Sequence, residues 1–477
     1  MVAHFNKPAT PAAHWARLFT AQRLGSVKPA PIQDSARSSF HKDYDRLVFS
    51  HSFRQLNQKT QVHPLTNQLG IHTRLTHSLE VSCIGRSLGI MAAEKLHDKL
   101  GNGLPTGVTP ADVGVIVQAA CLAHDIGNPP FGHAGEYAIR DWFMHPDRQT
   151  ILQNISNDER LDLFAYEGNA QGFRLLVRNE HHPDLGGMRL TCATLGAFMK
   201  YPWLATHSNP INSSQHQSVY QNDPIPKIQK FGCFYSEANQ LEQLANCLHL
   251  PRSEQHDGFA RHPLAYLLEA ADDICYALID LEDGINLNML TYNEVATIFY
   301  ELIGERPSSI DLPAHLSVRQ SLASLRARAM MRLVNTVTDA FVINSDKLLA
   351  GTLNGSLFAH CDASVQNGIN QAKQLAREQI FNHPSKVRME LMANQCLHRL
   401  LDSFVPLAWT AHTSASKPFE QQRLLSLLQP HLDENRRILT DDIYHNILNI
   451  LDFITGMNDH EAYRLAQELQ GHWGTMV

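Results

Sequence analysis

Residues 121–136 read Cys-Leu-Ala-His-Asp-Ile-Gly-Asn-Pro-Pro-Phe-Gly-His-Ala-Gly-Glu. An apolar stretch ends on adjacent His124 and Asp125, and Asn128-Pro129-Pro130 follows almost at once. Proline lacks the backbone donor and its ring clashes with the preceding turn, so two in succession end a helix. A second helix is expected from about Gly132, carrying His133, Glu136 and Arg140. The chain must therefore bend sharply between two helices, with polar residues crowded at the bend. The first helix is expected from Pro110 to about Asp125, with proline in the first turn, where it is favoured. On it Val113, Val117, Cys121 and His124 fall on roughly one face, so the histidine shares the inward side.

Elsewhere helix-type spacing dominates and β-type alternation is rare. The expected fold class is all-α, a helical core with a helical C-terminal region in one compact body. Residues 1–40, with Pro29 and Pro31, read as an irregular N-terminal surface arm, 41–290 as the core and 291–477 as the helical C-terminal region. Helices are expected within 43–61, 76–96 and 264–283, and the polar stretch 205–225 reads as a loop. His181 and His182, beside Pro183, read as solvent-exposed loop histidines.

The 477 residues are 43% hydrophobic and 18% charged, a profile that supports a packed core and excludes a disordered chain. A net charge of -7 excludes a globally basic coat for nucleic acid or membrane, while leaving room for a local basic pocket. Eight cysteines without a CxxC pair fit a reduced cytosolic protein better than a disulfide framework. The N-terminus lacks the pattern of a signal peptide, and no apolar run approaches the ~20 residues of a membrane span. A cytoplasmic location is expected.

A His and an Asp side by side at the end of a buried helix offer a mixed nitrogen and oxygen pair to a divalent metal. Two further candidates lie far off, His77 in Arg74-Leu-Thr-His-Ser-Leu-Glu80 and Asp272 in Glu269-Ala-Ala-Asp-Asp-Ile274. A lone His-Asp dipeptide is as readily a capped helix end with a satisfied histidine. Four candidates in order, each in an apolar helical context, favour the metal. Imidazole with carboxylate suits Mn, Fe, Co, Ni or Zn, whereas Mg prefers oxygen and water. Such a set leaves positions open for water and a phosphate oxygen.

His133 and Glu136 are i, i+3 neighbours, close enough to hydrogen-bond. A carboxylate that holds an imidazole fixes its tautomer and raises its basicity. The plainer explanation is a glutamate stabilising a helix N-terminus, but the proximity of Asp125 favours an acid/base pair. Asp272, Tyr276 and Asp280 are spaced i, i+4, i+8 and project from one helix face, where a hydroxyl and a carboxylate would suit a sugar hydroxyl. Asp273, Glu282 and Asp283 read as a solvated acidic face. Lys200, before Tyr201-Pro202, and Lys230, before Phe231-Gly232, are basic candidates of a kind more often found as plain surface.

These segments closely resemble the deoxyguanosinetriphosphate triphosphohydrolase family, a branch of the HD phosphohydrolases, whose metal ligands follow the order His, His-Asp, Asp. The matching stretches are 43–49, 53–56, 59–62, 74–81, 124–136, 167–173, 194–202, 230–237, 261–276 and 451–457. The resemblance implies that His77, His124, Asp125 and Asp272 bind a divalent metal, Mn or else Mg, Co, Fe, Ni or Zn. It implies that His133 with Glu136 does the proton or nucleophile work at the α-phosphorus. Gln55, Tyr276 and Asp280 would face the deoxyribose, and Lys200, Tyr201 and Lys230 the triphosphate. The implied reaction turns a deoxynucleoside triphosphate and water into deoxynucleoside and inorganic triphosphate. A homo-oligomer, up to a hexamer, is also implied. Single-stranded DNA is a further partner in the family, and the net charge gives it no support here.

Asn128 stands where many members have His, and Arg54-Gln55 where many have Arg-Arg. The competing readings are another HD phosphohydrolase, a 5′-deoxynucleotidase or a guanosine-tetraphosphate hydrolase, and a regulatory nucleotide-binding protein with an HD pocket. The Pro-Pro-Phe-Gly-His-Ala-Gly-Glu run and the Lys-Tyr-Pro element argue against the first. The filled catalytic positions argue against the second.

Overall fold

The computed structural model describes residues 11–26, 33–34, 37–61, 72–100, 104–148, 151–179, 187–205, 230–305, 315–410, 417–428 and 442–472. His181, His182 and residues 206–225 lie outside them. The chain begins with α1 (Pro11–Leu18), the two-residue strands β1 (Gln33–Asp34) and β2 (Arg37–Ser38), then α2 (Ser39–Phe49) and α3 (His51–Gln55). The strands pair antiparallel, Gln33 opposite Ser38. There follow α4 (Arg74–Lys99), α5 (Pro110–Ala123), α6 (His133–Met144), α7 (Asn157–Phe164), α8 (Gly168–Arg174), α9 (Cys192–Phe198), α10 (Ala238–Leu248) and α11 (Pro263–Asn286). The rest is α12 (Tyr292–Ile303), α13 (Val318–Ile343), α14 (Ser345–Ala350), α15 (Ala363–Leu375), α16 (Pro384–Phe404), α17 (Leu407–Thr410), α18 (Phe419–Leu428), α19 (Ile443–Gly456) and α20 (Asp459–Glu468). The fold is all-α. No helix among the described residues is long and apolar enough to cross a membrane.

Helix starts follow from local chemistry. Thr73, Thr109, Ser156, Thr291, Ser317 and Asn458 each accept the backbone N–H three residues on, and the side chain there caps in return. Ser50 divides the stretch expected as one helix: its hydroxyl accepts the Phe53 N–H and starts α3 afresh.

The pairing of α4 with α5 positions everything else. A Cβ on Gly89 would lie 2.9 Å from the Gly114 Cα, and one on Gly85 would collide with Cys121 Sγ. Glycine therefore lets the two backbones approach. Going from 85 to 89 on α4 means going from 121 to 114 on α5, so the helices are antiparallel. His77, near the start of α4, consequently comes opposite His124, just past the end of α5. The helix α5 is buried almost all round, with Val115, Ile116 and Leu122 covered as well as Val113 and Val117. A helix covered on every side is central, not amphipathic.

Residues 11–26 correct the expected surface arm. Trp15, Leu18 and Phe19 are buried, and Trp15 stacks on Phe19 and touches Phe341. A single turn-and-a-half of apolar spacing is too short to stand out against flanking prolines, yet large aromatics there still find the core. The expected acidic face on α11 is also corrected. Asp283 is buried and holds His72 Nδ1 at 2.8 Å, while Asp273 pairs with Lys373 and Glu282 with Arg326.

Two buried apolar clusters interleave along the chain. One runs through α1 to α5 and α9 to α15. The other gathers α6, α7 and α16 to α20. Ile126 belongs to the first and Phe131 to the second. The bend at 125–132 is thus the seam between them.

Candidate metal and phosphate site

At the mouth of the α4–α5 pair the imidazoles of His77 and His124 lie with ring centroids 5.3 Å apart. His124 Nδ1 faces the Cys121 carbonyl at 2.7 Å. As the donor in that bond, Nδ1 leaves the Nε2 lone pair turned toward the site, the tautomer a metal ligand needs. His77, His124 and Asp125 offer donor atoms all within 4.8 Å of one another. Asp272 on α11 closes the group, its Oδ1 standing 3.2 Å from His77 Nε2 and 3.5 Å from His124 Nε2. Metal–ligand bonds of about 2.1 Å at right angles place neighbouring donors about 3.0 Å apart. The spacings of Asp272 to His77 and His124 and of His124 to Asp125, 3.2 to 3.5 Å, are near that figure, so the donor set suits a divalent cation.

Electrostatics hold these carboxylates ready. Arg74 Nη1 donates to Asp125 Oδ2 at 2.9 Å, and the Asn128 amide donates to Oδ1. Burial opposes ionisation of Asp125, but Arg74, His124 and His77 carry its carboxyl well below the usual range. Asp272 behaves likewise: burial pushes up, while Lys200, His124 and His77 pull well below. Lys200 Nζ donates to Asp272 Oδ2 at 2.6 Å.

Beyond the bend, His133 Nδ1 meets Glu136 Oε2 at 2.8 Å, and Glu136 Oε1 accepts the Gly168 N–H at 2.7 Å. The His133 side chain is 55% exposed and Glu136 only 4%, so a fixed carboxylate presents a solvent-facing imidazole. Burial opposes the Glu136 charge, yet His133, Arg140 and Lys230 bring its carboxyl down to about 2. The Gly127 backbone packs so closely on Gly168 and Gly172 that a Cβ would collide with them. This glycine contact sets α8, and hence the N–H that anchors Glu136, against the bend.

Lys230 joins the two halves. Its desolvation is outweighed by Glu167, Tyr201 and Glu136, which keep its ammonium charged well above the ordinary lysine range. Tyr201 packs edge-on against Trp203, and Arg261 lies over its ring at 5.4 Å. On α11, Tyr276 stacks on Phe381 with centroids 5.8 Å apart. Asp280 is buried below it. Burial, then Asp283 and Asp272 against the influence of His77, push its carboxyl up to about 7. Gln55 differs from the other candidates: on α3 its amide meets His51 at 3.0 Å rather than any of these side chains.

Two further residues of the site were given no role by the sequence. Phe381 follows α15 in a π-helical turn, Ala376–Phe381, of the kind often found at functional sites. Lys59 is fully buried and donates to the Asn128 and Thr455 carbonyls at 2.8 and 2.7 Å, burial bringing its ammonium down to about 7. Lys59 opens the family-like stretch 59–62, which by itself gave it no role.

Paired helices that bring a His, a His-Asp and a distant Asp to one point define an HD-domain protein, and the HD domain model matches residues 74–191. The chain belongs to the deoxyguanosinetriphosphate triphosphohydrolase family of HD-type phosphohydrolases. A deoxyguanosinetriphosphate triphosphohydrolase-like protein of Pseudomonas aeruginosa is 44% identical over 465 residues, covering 96% of this chain and 98% of that protein. One from Synechocystis sp. is 37% identical, covering 96% and 99%. A deoxyguanosinetriphosphate triphosphohydrolase of Salmonella paratyphi A is 31% identical, covering 89% and 92%.

Proposed function

We propose that the chain hydrolyses deoxynucleoside triphosphates to deoxynucleoside and inorganic triphosphate, with a divalent metal held by His77, His124, Asp125 and Asp272. The observation that carries the reading is the gathering of His77, His124 and Asp125, with Asp272 beside the two imidazoles, Lys200 on Asp272 and the His133–Glu136 pair beyond the bend. A metal held there would supply Lewis acidity at a phosphate oxygen.

The other residues divide the remaining work. Lys200 and Lys230 neutralise phosphate charge, and Tyr201 lines the wall between them. Glu136 takes the His133 Nδ1–H and leaves Nε2 to accept or return a proton near the α-phosphorus. Tyr276, backed by Phe381, packs against the deoxyribose and leaves no room for a ribose 2′-hydroxyl, with Asp280 bonding a sugar hydroxyl. Gln55 also faces the sugar in this reading, after its side chain leaves His51.

The test is hydrolysis of each dNTP and NTP with added Mn2+, products resolved by anion exchange, beside an Asp125→Ala control. Triphosphate with deoxynucleoside, absent in the control, is the expected result. Orthophosphate or nucleoside monophosphate in their place would overturn it.

A further inference from the structure

The bend that separates the metal ligands from His133 runs through two left-handed residues in succession, Phe131 at φ 65° and Gly132 at φ 59°. Glycine adopts that conformation freely, but a bulky aromatic does so only where its surroundings hold it. Gly132, at φ 59° and ψ -128°, holds a backbone conformation essentially confined to glycine, and a Cβ there would also press on the Arg74 guanidinium. The first is held by a residue far along the chain. Asp459, at the start of α20 and wholly buried, accepts the Phe131 N–H on Oδ1 at 2.7 Å.

Its other oxygen is equally engaged. Asp459 Oδ2 accepts the Thr60 N–H at 3.0 Å and the Thr60 hydroxyl at 2.9 Å. Thr60 in turn bridges Thr73, and the Arg74 N–H donates to the Lys59 carbonyl at 2.8 Å, immediately before the turn of α4 that carries His77. One carboxylate therefore ties the start of α4, with its metal-ligand candidate, to the start of α6, with His133. The tie crosses the seam between the two apolar clusters, where packing alone fixes relative position least.

We propose that Asp459 is a positioning residue: it locks the Phe131-Gly132 bend and so sets His133 against the metal ligands. Its catalytic consequence rests on the reaction proposed above. Bidentate use of a buried carboxylate by three donors gives the rigidity that a proton-transfer group needs, since a shift of about 1 Å can cost on the order of a hundredfold in rate.

Three variants separate positioning from general stability: Asp459→Ala, Asp459→Asn and Thr60→Val. With Asp459→Ala, kcat per folded molecule falls about thirtyfold or more, while KM and the Mn2+ affinity of nucleotide-free protein stay within about twofold. Asp459→Asn keeps one acceptor for the Phe131 N–H and recovers part of kcat. Thr60→Val removes only the hydroxyl tie and stays within about threefold of the parent. Hydrogen exchange followed by mass spectrometry supplies a readout independent of turnover. Asp459→Ala loses protection across 129–140 and keeps it across 84–96. If Asp459→Ala fails to fold, the graded loss in Asp459→Asn carries the same comparison. Unchanged kcat together with unchanged exchange across 129–140 overturns the proposal. Absence of triphosphate release by the unmodified protein overturns the reaction instead, and exchange alone then decides whether Asp459 holds the bend.

Discussion

Lys200 Nζ stands 2.6 Å from Asp272 Oδ2, so the ammonium proposed to meet phosphate neutralises a carboxylate of the proposed metal group. The two roles compete. A Lys200→Met variant frees Asp272, and nucleotide-free protein is expected to bind Mn2+ a few-fold more tightly, while KM for the triphosphate rises by about tenfold from loss of one charge-assisted contact. Titration of Mn2+ by paramagnetic resonance beside steady-state kinetics checks both. Weaker metal binding in the variant would refute the competition.

Glu136 is ionised across the working range, and its other oxygen is fixed by the Gly168 N–H. Glu136→Gln removes the charge behind His133 and leaves its shape, so kcat is expected to fall on the order of a hundredfold with little change in KM. Full kcat in the variant would remove the pair from the chemistry.

The Tyr276 ring is backed by Phe381, 5.8 Å away between centroids. Tyr276→Ala opens the space a 2′-hydroxyl needs, and the preference for dNTP over NTP is expected to shrink by about tenfold or more. Unchanged discrimination in a competition assay would place the sugar selectivity elsewhere.

His72 lies between Asp283 and Glu80, whose hydrogen bonds, against the influence of burial, raise its imidazolium to about 10 from the ordinary 6.5. A raised folded-state value means that the proton is held more tightly in the native protein. The stabilisation is complete below about pH 6.5 and disappears as the pH climbs toward 10. Urea unfolding at a series of pH values should show stability declining across that window. His72→Gln should flatten the decline.

Arg174 has no solvent exposure and pairs with Glu237 at 2.8 Å and Asp452 at 2.9 Å, linking α8 to α19. Arg174→Met takes the central cation from both carboxylates, leaving Glu237 to Arg178 and Asp452 to Gln171, and is expected to lower stability by up to roughly 3 kcal/mol. Calorimetry with and without Mn2+ measures it. A loss under about 1 kcal/mol would mean the network relaxes around the gap.

The all-α class was readable from helix-type spacing, because each helix is shaped by short-range periodicity and by caps such as Thr109-Asp112 that sit within one turn. The nearness of His124 to Asp125, and of His133 to Glu136, was equally readable, since both pairs are local. That His77 and Asp272 would join them was suggested by residue order; the antiparallel packing of α4 on α5 through Gly85, Gly89 and Gly114 brought His77 to His124, and the packing of α11 against both helices brought Asp272. Sequence alone misplaced Trp15 and Asp283, whose burial depends on partners far along the chain. It gave no sign of Phe381 behind Tyr276 or of Asp459 holding Phe131, and no role to Lys59 beneath the bend. Those contacts join segments between 69 and 396 residues apart, and only close packing decides which buried donor meets which acceptor.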